Sequence, residues 1–330
     1  MQSSGSTNLT CPACRQRIDP LVFQTVDPAS IGISDQFRCP MCSTPFWPEN
    51  GFLSTFALHD GDQYFGIPLS LGGTEKRDYT DVAIGEIRRS TMHSLYSGYE
   101  LEKIGLRGAH RTGVNEEDWL DIEPLHNPHT QASLGGEVLI SLAQISSTDI
   151  AIAANLQEDR PEAVPLAPGD EIDILYDAGM QLAAVTDPPW LLNLREAEAA
   201  IRRRNTVPVF SLLVSAFDNL LYRQVYLLLR SRGFNDAEAV DRIESLAGSS
   251  RVRRKELAAD VLDALVGERL TNGRYATEWA KFMQLKNARN QIVHPAGTAS
   301  VDPPSESDAI DAFNQTFEMM LCVFNLCWDV

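Results

Sequence analysis

The chain has few of the features that mark a secreted, fibrous or membrane protein. Six cysteines in 330 residues are too few for a disulfide scaffold. The N-terminal Met1-Gln-Ser-Ser-Gly-Ser-Thr-Asn-Leu-Thr10 has neither a basic start nor an apolar run, so no secretory signal is read. The most apolar long window, Val207 to Leu229, is interrupted by Asp218, Asn219 and Arg223, which makes it a buried helix and a poor membrane span. A phosphate-cradling glycine loop and a nucleophile elbow are both missing. Basic residues are scarce too: 28 Lys and Arg face 45 Asp and Glu, a net charge of −17, which argues against coating nucleic acid or anionic membrane along the whole surface. What remains is an ordinary apolar fraction of 44% and a length suited to two or three domains. The expected compartment is the cytoplasm, where thiols stay reduced.

The charge is unevenly spread. Residues 51–187 hold 8 basic and 23 acidic groups, a net −15. Residues 188–290 hold 17 basic and 12 acidic groups, a local +5, while residues 291–330 have no Lys or Arg. A polyanion is therefore expected to meet the chain between Trp190 and Asn290.

Cys11-Pro-Ala-Cys14 and Cys39-Pro-Met-Cys42 are two C-x2-C pairs separated by 24 residues. Two thiolates two residues apart grip one metal from a tight turn, and two such turns close a tetrahedron around zinc. A redox cysteine pair is the other reading, but two matched pairs in a short polar module favour metal. With all four ligands supplied by Cys11, Cys14, Cys39 and Cys42, the zinc is structural, and no catalytic metal is expected. Residues 1–50 resemble a zinc ribbon, a unit too small to fold without such a staple. Ribbons of this kind bind RNA, DNA or protein, or only cap a neighbour, and the residues do not choose between these.

Residues 51–187 read as β-rich, sandwich-like or barrel-like. Val138 to Ile145 and Asp149 to Asn155 form a hairpin about Ser146-Ser147-Thr148, and Ala167 to Asp170 is a turn before the alternating Glu171 to Tyr176. His126 and His129 flank Asn127-Pro128 in a loop. Together with His93 and His110 they make a second metal set or plain polar surface. An acidic domain of this kind suits a protein trigger or inhibitor, or a lid over a basic cleft, better than it suits RNA.

After Pro188-Pro189 the pattern turns helical. Helices are expected at Trp190–Arg204, Val209–Arg230, Asp236–Leu246, Arg254–Val266, from near Thr277 to His294, and over Asp308–Trp328, as an antiparallel bundle. The fold class is thus multidomain α+β. Cys322 and Cys327, five apart on the last helix, lie on different faces and read as buried thiols.

The most informative stretch is Arg289-Asn-Gln-Ile-Val-His294-Pro295. At about 100° per residue, Tyr275, Trp279, Phe282, Leu285, Ile292 and Val293 form one apolar arc, and Arg289 falls near its middle. A guanidinium in that position is costly unless paired or functional. Asn290 and His294 share the arc's edge. Pro295 disfavours helix at His294, which places the imidazole at the negative end of the helix dipole and suits it to proton transfer. Asp218 sits among Val214, Phe217, Leu221 and Val225; it either pairs with Arg289 or is an edge carboxylate in water. Arg251, Arg253, Arg254 and Lys255 are either an RNA-backbone contact or a solvated helix start.

An Arg, a polar neighbour, and a His after four intervening residues, late in a helical bundle, resemble the motif of the HEPN superfamily. The resemblance covers roughly residues 205–330. It implies metal-independent RNA cleavage through 2′-OH attack, leaving a 2′,3′-cyclic phosphate. His294 would move the proton, Arg289 would hold the scissile phosphate, Asn290 would orient phosphate or His294, and Asp218 would direct Arg289. It further implies a homodimer in which two motifs meet, and a restrained toxin or antiviral effector. The competing expectation is a non-catalytic protein whose ribbon and β domain bind a protein or nucleic-acid partner while the helices dimerise.

Overall fold

The structure is a computed structural model and describes residues 9–18, 36–57, 63–66, 69, 71, 74–91, 99–111, 129–134, 138–146, 148–156, 167–182, 187–248, 253–293 and 303–328. It is mixed α+β, with antiparallel sheets in the middle of the chain and helices at its C-terminal end. Two compact units carry most of these residues. One is built mainly from residues 70–186, the other mainly from residues 46–69 and 187–330. Among the described residues no helix is long and apolar enough to cross a membrane.

The β unit has two antiparallel sheets. Strands β3 (Thr74–Ala83), β9 (Glu171–Leu182) and β5 (Tyr99–Arg111) form one, in the order β3-β9-β5. Strands β4 (Ile87–Thr91), β8 (Asp149–Leu156), β7 (Val138–Gln144) and β6 (His129–Leu134) form the other, in the order β4-β8-β7-β6. Period-two alternation drives both. Ile172, Ile174, Tyr176 and Ala178 of β9 share one core with Val138, Ile140 and Leu142 of β7 and with Ile150, Ile152 and Ala154 of β8. Glu171, Asp173 and Asp177 alternate with the buried residues of β9, so the strand carries its acidic groups off the core.

The β7–β8 hairpin forms as its sequence indicates, with Gln144 opposite Ile150. Its loop is organised by Ser146 Oγ, which accepts from the Thr148 and Asp149 amides and donates to the Asp149 carboxylate. Gly169, at φ +92°, turns the chain into β9. His129 opens β6 and pairs with Ala143, so it does not lie in the expected loop. The alternation that begins there runs into the apolar end of β6, and strand pairing outweighs the preceding Asn127-Pro128 turn signal. Edge strand β4 is guarded by charge: Arg88 pairs with Asp81, and Arg89 with Asp149 at 2.6 Å.

The helical unit contains a helix absent from the sequence expectation, α1 (Pro48–Ala57), which spans the 50/51 boundary between the first two segments. Its apolar residues explain its place: Phe52 meets Trp190 and Phe317, and Phe56 meets Phe317 edge-on at 5.3 Å. The others are α2 (Pro189–Arg202), α3 (Val209–Ser231), α4 (Asp236–Ala247), α5 (Arg254–Glu256), α6 (Leu262–Val266), α7 (Ala276–Val293) and α8 (Glu306–Trp328). Pro189 at the first helical position starts α2. A capping box of Asn235 and Glu238 starts α4, and Gly248 in the left-handed region ends it. The single helix expected over Arg254–Val266 is instead interrupted by a π-helical turn, Leu257–Val261. Side-chain periodicity does not distinguish a one-turn π insertion from a continuous α-helix.

A buried polar cluster fastens α1 to its neighbours. Glu49 is 1% exposed. Its Oε1 accepts from Arg223 Nε of α3 at 2.8 Å, and its Oε2 from Trp190 Nε1 of α2 at 3.0 Å. Nearby in the sequence of α3, Gln224 is fully buried and its Oε1 accepts from Trp328 Nε1 at 2.7 Å, while Trp328 lies 5.9 Å from Trp47. Removing one partner of such a pair strands a buried charge. Glu49→Ala is expected to lower unfolding stability by about 3 kcal/mol, and Glu49→Gln, which keeps an acceptor for Trp190, by less. Urea unfolding followed by tryptophan fluorescence checks the order.

Cys322 and Cys327 are buried on α8 and form no disulfide, as the spacing indicates. Burial is the main force pushing each thiol up to about 12. A buried thiol stays protonated while an unfolded one ionises near its ordinary value. At pH 8 neither cysteine is expected to react with a disulfide reagent in the folded protein, and both are expected to react in denaturant. Peptide mapping after labelling checks this.

Candidate functional site

The four N-terminal cysteines converge. Cys11, Cys14, Cys39 and Cys42 place their sulfurs within 4.8 Å of one another. Both turns are built alike. The Arg15 amide donates to the Cys11 carbonyl at 2.9 Å, and the Ser43 amide to the Cys39 carbonyl at 2.8 Å. The residue after each pair takes left-handed backbone, Arg15 at φ 59° and Ser43 at φ 60°. This repeated turn lets two sulfurs two residues apart point the same way.

The donor set fits a metal such as zinc. Tetrahedral coordination with Zn–S bonds of about 2.3 Å needs sulfurs about 3.8 Å apart, close to what the turns already supply. The Cys42 thiol donates to Thr44 Oγ1 at 3.3 Å. Once that sulfur gives up its proton to a metal, the hydroxyl can turn and donate instead. The first turn is pinned to α1. The Thr10 amide donates to the Gly51 carbonyl at 2.9 Å, and the Thr10 and Thr55 hydroxyls lie 3.0 Å apart.

In the helical unit, α7 carries the Arg289 motif. Trp279, Phe282 and Leu285 are buried as the apolar arc requires, and Phe282 packs on Phe217 of α3 with ring centroids 4.2 Å apart. The arc then opens. Ile292 is half-buried and Val293 is 41% exposed, so Arg289 stands where the core gives way to solvent. Its side chain is half-buried. Nη1 donates to Asn290 Oδ1 at 3.0 Å, and Nε is buried with no hydrogen-bond partner among the described residues. Helix α7 ends at Val293, one residue before His294, as Pro295 requires. His294 itself lies outside the described residues, as do His93 and His126.

Asp218 does not pair with Arg289. Both of its oxygens accept from Arg254, through Nε and Nη2, and Arg254 lies over the Phe282 ring at 5.4 Å. Arg254 is near Asp218 only in the tertiary fold and can approach the carboxylate with its planar fork, a geometry that outcompetes a single contact. The same pairing takes Arg254 out of the solvated basic run to which its sequence neighbours assign it. Glu49 and Arg223 were not singled out in the sequence: a glutamate after Trp-Pro and an arginine on an apolar helix give no sign that they meet.

An open cleft of about 440 Å³ lies beside the motif, between the second half of α7 and the first half of α8. Gln284, Gln291, Asp308, Asp311 and Gln315 supply its polar lining. Asp308 also caps α8 by accepting from the amide and hydroxyl of Ser305, and the Ser305 hydroxyl holds its carboxyl below the ordinary range. With two carboxylates and no cation in its lining, the cleft is unsuited to phosphate.

Compared with protein-family models and with curated proteins, the chain matches none.

The sulfur geometry has a direct consequence for metal content. One zinc per chain is expected by elemental analysis, and Cys11→Ser or Cys39→Ser is expected to reduce it to well under half. Titration with cobalt is expected to give the absorption of a tetrahedral four-thiolate site in the native chain and to lose it in either variant.

Proposed function

We propose that the helical unit is a metal-independent endoribonuclease of the HEPN kind, working as a homodimer, with Arg289, Asn290 and His294 as its reacting set. The observation that carries this reading is the state of Arg289. Among the described residues its half-buried guanidinium meets no carboxylate, and it keeps a buried N–H without an acceptor. Withholding a neutralising partner from such a group is unfavourable for folding alone, and it leaves the planar fork ready for an anion. Arg254 shows the contrast, since Asp218 neutralises it.

In the proposed reaction the 2′-hydroxyl attacks the adjacent phosphorus while His294 moves a proton to or from the reacting oxygens. The P–O5′ bond breaks and a 2′,3′-cyclic phosphate remains. Arg289 stabilises the negative charge that grows on the phosphoryl oxygens, and Asn290 fixes its direction through Nη1. A second copy brings its own motif to complete the site. In this reading residues 1–50 are a zinc ribbon, the two-sheet acidic unit receives a protein trigger or inhibitor, and the whole is a cytoplasmic toxin or antiviral effector.

The full chain is expected to cut single-stranded or transfer RNA with magnesium chelated, leaving cyclic phosphate ends identifiable by mass. Arg289→Ala and His294→Ala are each expected to slow cleavage about 100-fold or more without changing circular dichroism. Cleavage at the native rate in both variants, or none by a dimeric native chain, would reject the assignment.

A further inference from the structure

The two cysteine turns are alike in backbone and unlike in surroundings. Cys11 and Cys39 are 0% and 1% exposed, Cys14 is half-buried, and Cys42 is exposed. The turn that holds Cys42 also carries Met41, which is 71% exposed. Support is unequal too. The first turn is tied to α1 at Gly51 and Thr55. The second relies on contacts within its own few residues, the Cys39 amide to the Thr44 carbonyl at 3.0 Å and the Arg38 guanidinium to the Ser43 carbonyl at 3.4 Å. A solute that attacks sulfur therefore reaches Cys42 before any other ligand, on the half of the site with the fewest ties.

We propose that Cys42 is an oxidative modification site through which a peroxide opens the metal centre, with Cys39 as the resolving thiol. Cys42 Sγ attacks one oxygen of hydrogen peroxide, the O–O bond breaks, and hydroxide leaves with Cys42 as a sulfenic acid. Cys39 Sγ then attacks the Cys42 sulfur, an S–S bond forms, and a second hydroxide leaves. Two thiolates have lost two electrons in all, and one peroxide has gained them. The metal loses two of its four ligands and departs as the divalent ion. The first turn keeps its bonds to α1, so the damage is confined to the second turn and is undone by a dithiol and fresh zinc.

The test uses the zinc-loaded full chain and hydrogen peroxide. Zinc release is read with a chromophoric chelator, the oxidised residues by differential alkylation and peptide mass, and α1 by amide hydrogen exchange. The expected result is first modification at Cys42, then a Cys39–Cys42 disulfide, with one zinc released per disulfide formed. Protection over residues 48–57 is expected to persist, and dithiothreitol with zinc to restore the starting state. First modification at Cys11, Cys14 or Cys39, a disulfide of another pairing, zinc retained after the disulfide forms, or loss of protection over 48–57 would each overturn the proposal. So would a chain that binds no zinc.

Discussion

A carboxylate that is 1% exposed has to be satisfied inside the protein, and Glu49 is satisfied from two different helices. Much of the helical unit's arrangement follows. Glu49 sits in the first turn of α1, so Arg223 and Trp190 can reach it together only if α1 lies against both α2 and α3. The aromatic side chains then fill the space that this crossing leaves, with Phe52, Phe56 and Phe317 packed edge to face. Apolar burial supplies the larger share of stabilisation, but it is indifferent to small rotations of a helix. The directional bonds to Glu49 are not, and they select one placement of α1. Because Thr10 is bonded to α1, the first cysteine turn inherits that placement.

Two arginines define the electrostatic character of the α3–α5–α7 region, and they are treated oppositely. Arg254 is neutralised by Asp218 and spread over the face of Phe282, which makes it part of the packing. Arg289 has only the neutral amide of its neighbour Asn290. The difference between a paired and an unpaired guanidinium in similar surroundings separates a structural cation from one available to a ligand. The acidic cleft on the adjoining face of α7 sharpens this, because it turns phosphate away from one side of the helix.

Features governed by neighbours in the chain were legible from the residues. The C-x2-C turns, the β7–β8 hairpin, the stop of α7 before Pro295 and the long apolar helices α3 and α8 all depend on spacing, turn chemistry or periodicity. Features that depend on groups far apart in the chain were not. Helix α1 is short, begins with Pro48 and contains Gly51, so its local preference is weak, and it is helical because Phe52 and Phe56 find a core. The partner of Asp218 was misassigned for the same reason: Arg254 is 36 residues away, and nothing local marks it as the nearest fork. The π-helical turn at Leu257–Val261 also left no periodic trace.

The sequence by itself determined that four thiols form a matched set, that acidity gathers in a β-rich stretch, and that an arginine and a histidine fall near one helix end. These are consequences of residue type and short spacing, which the backbone obeys wherever the segment lies. Only the tertiary structure decided which charges are neutralised and which are left open, and which sulfur faces water. Those outcomes turn on burial and on distances between segments remote in the chain, where the cost of an unpaired group depends on everything packed around it.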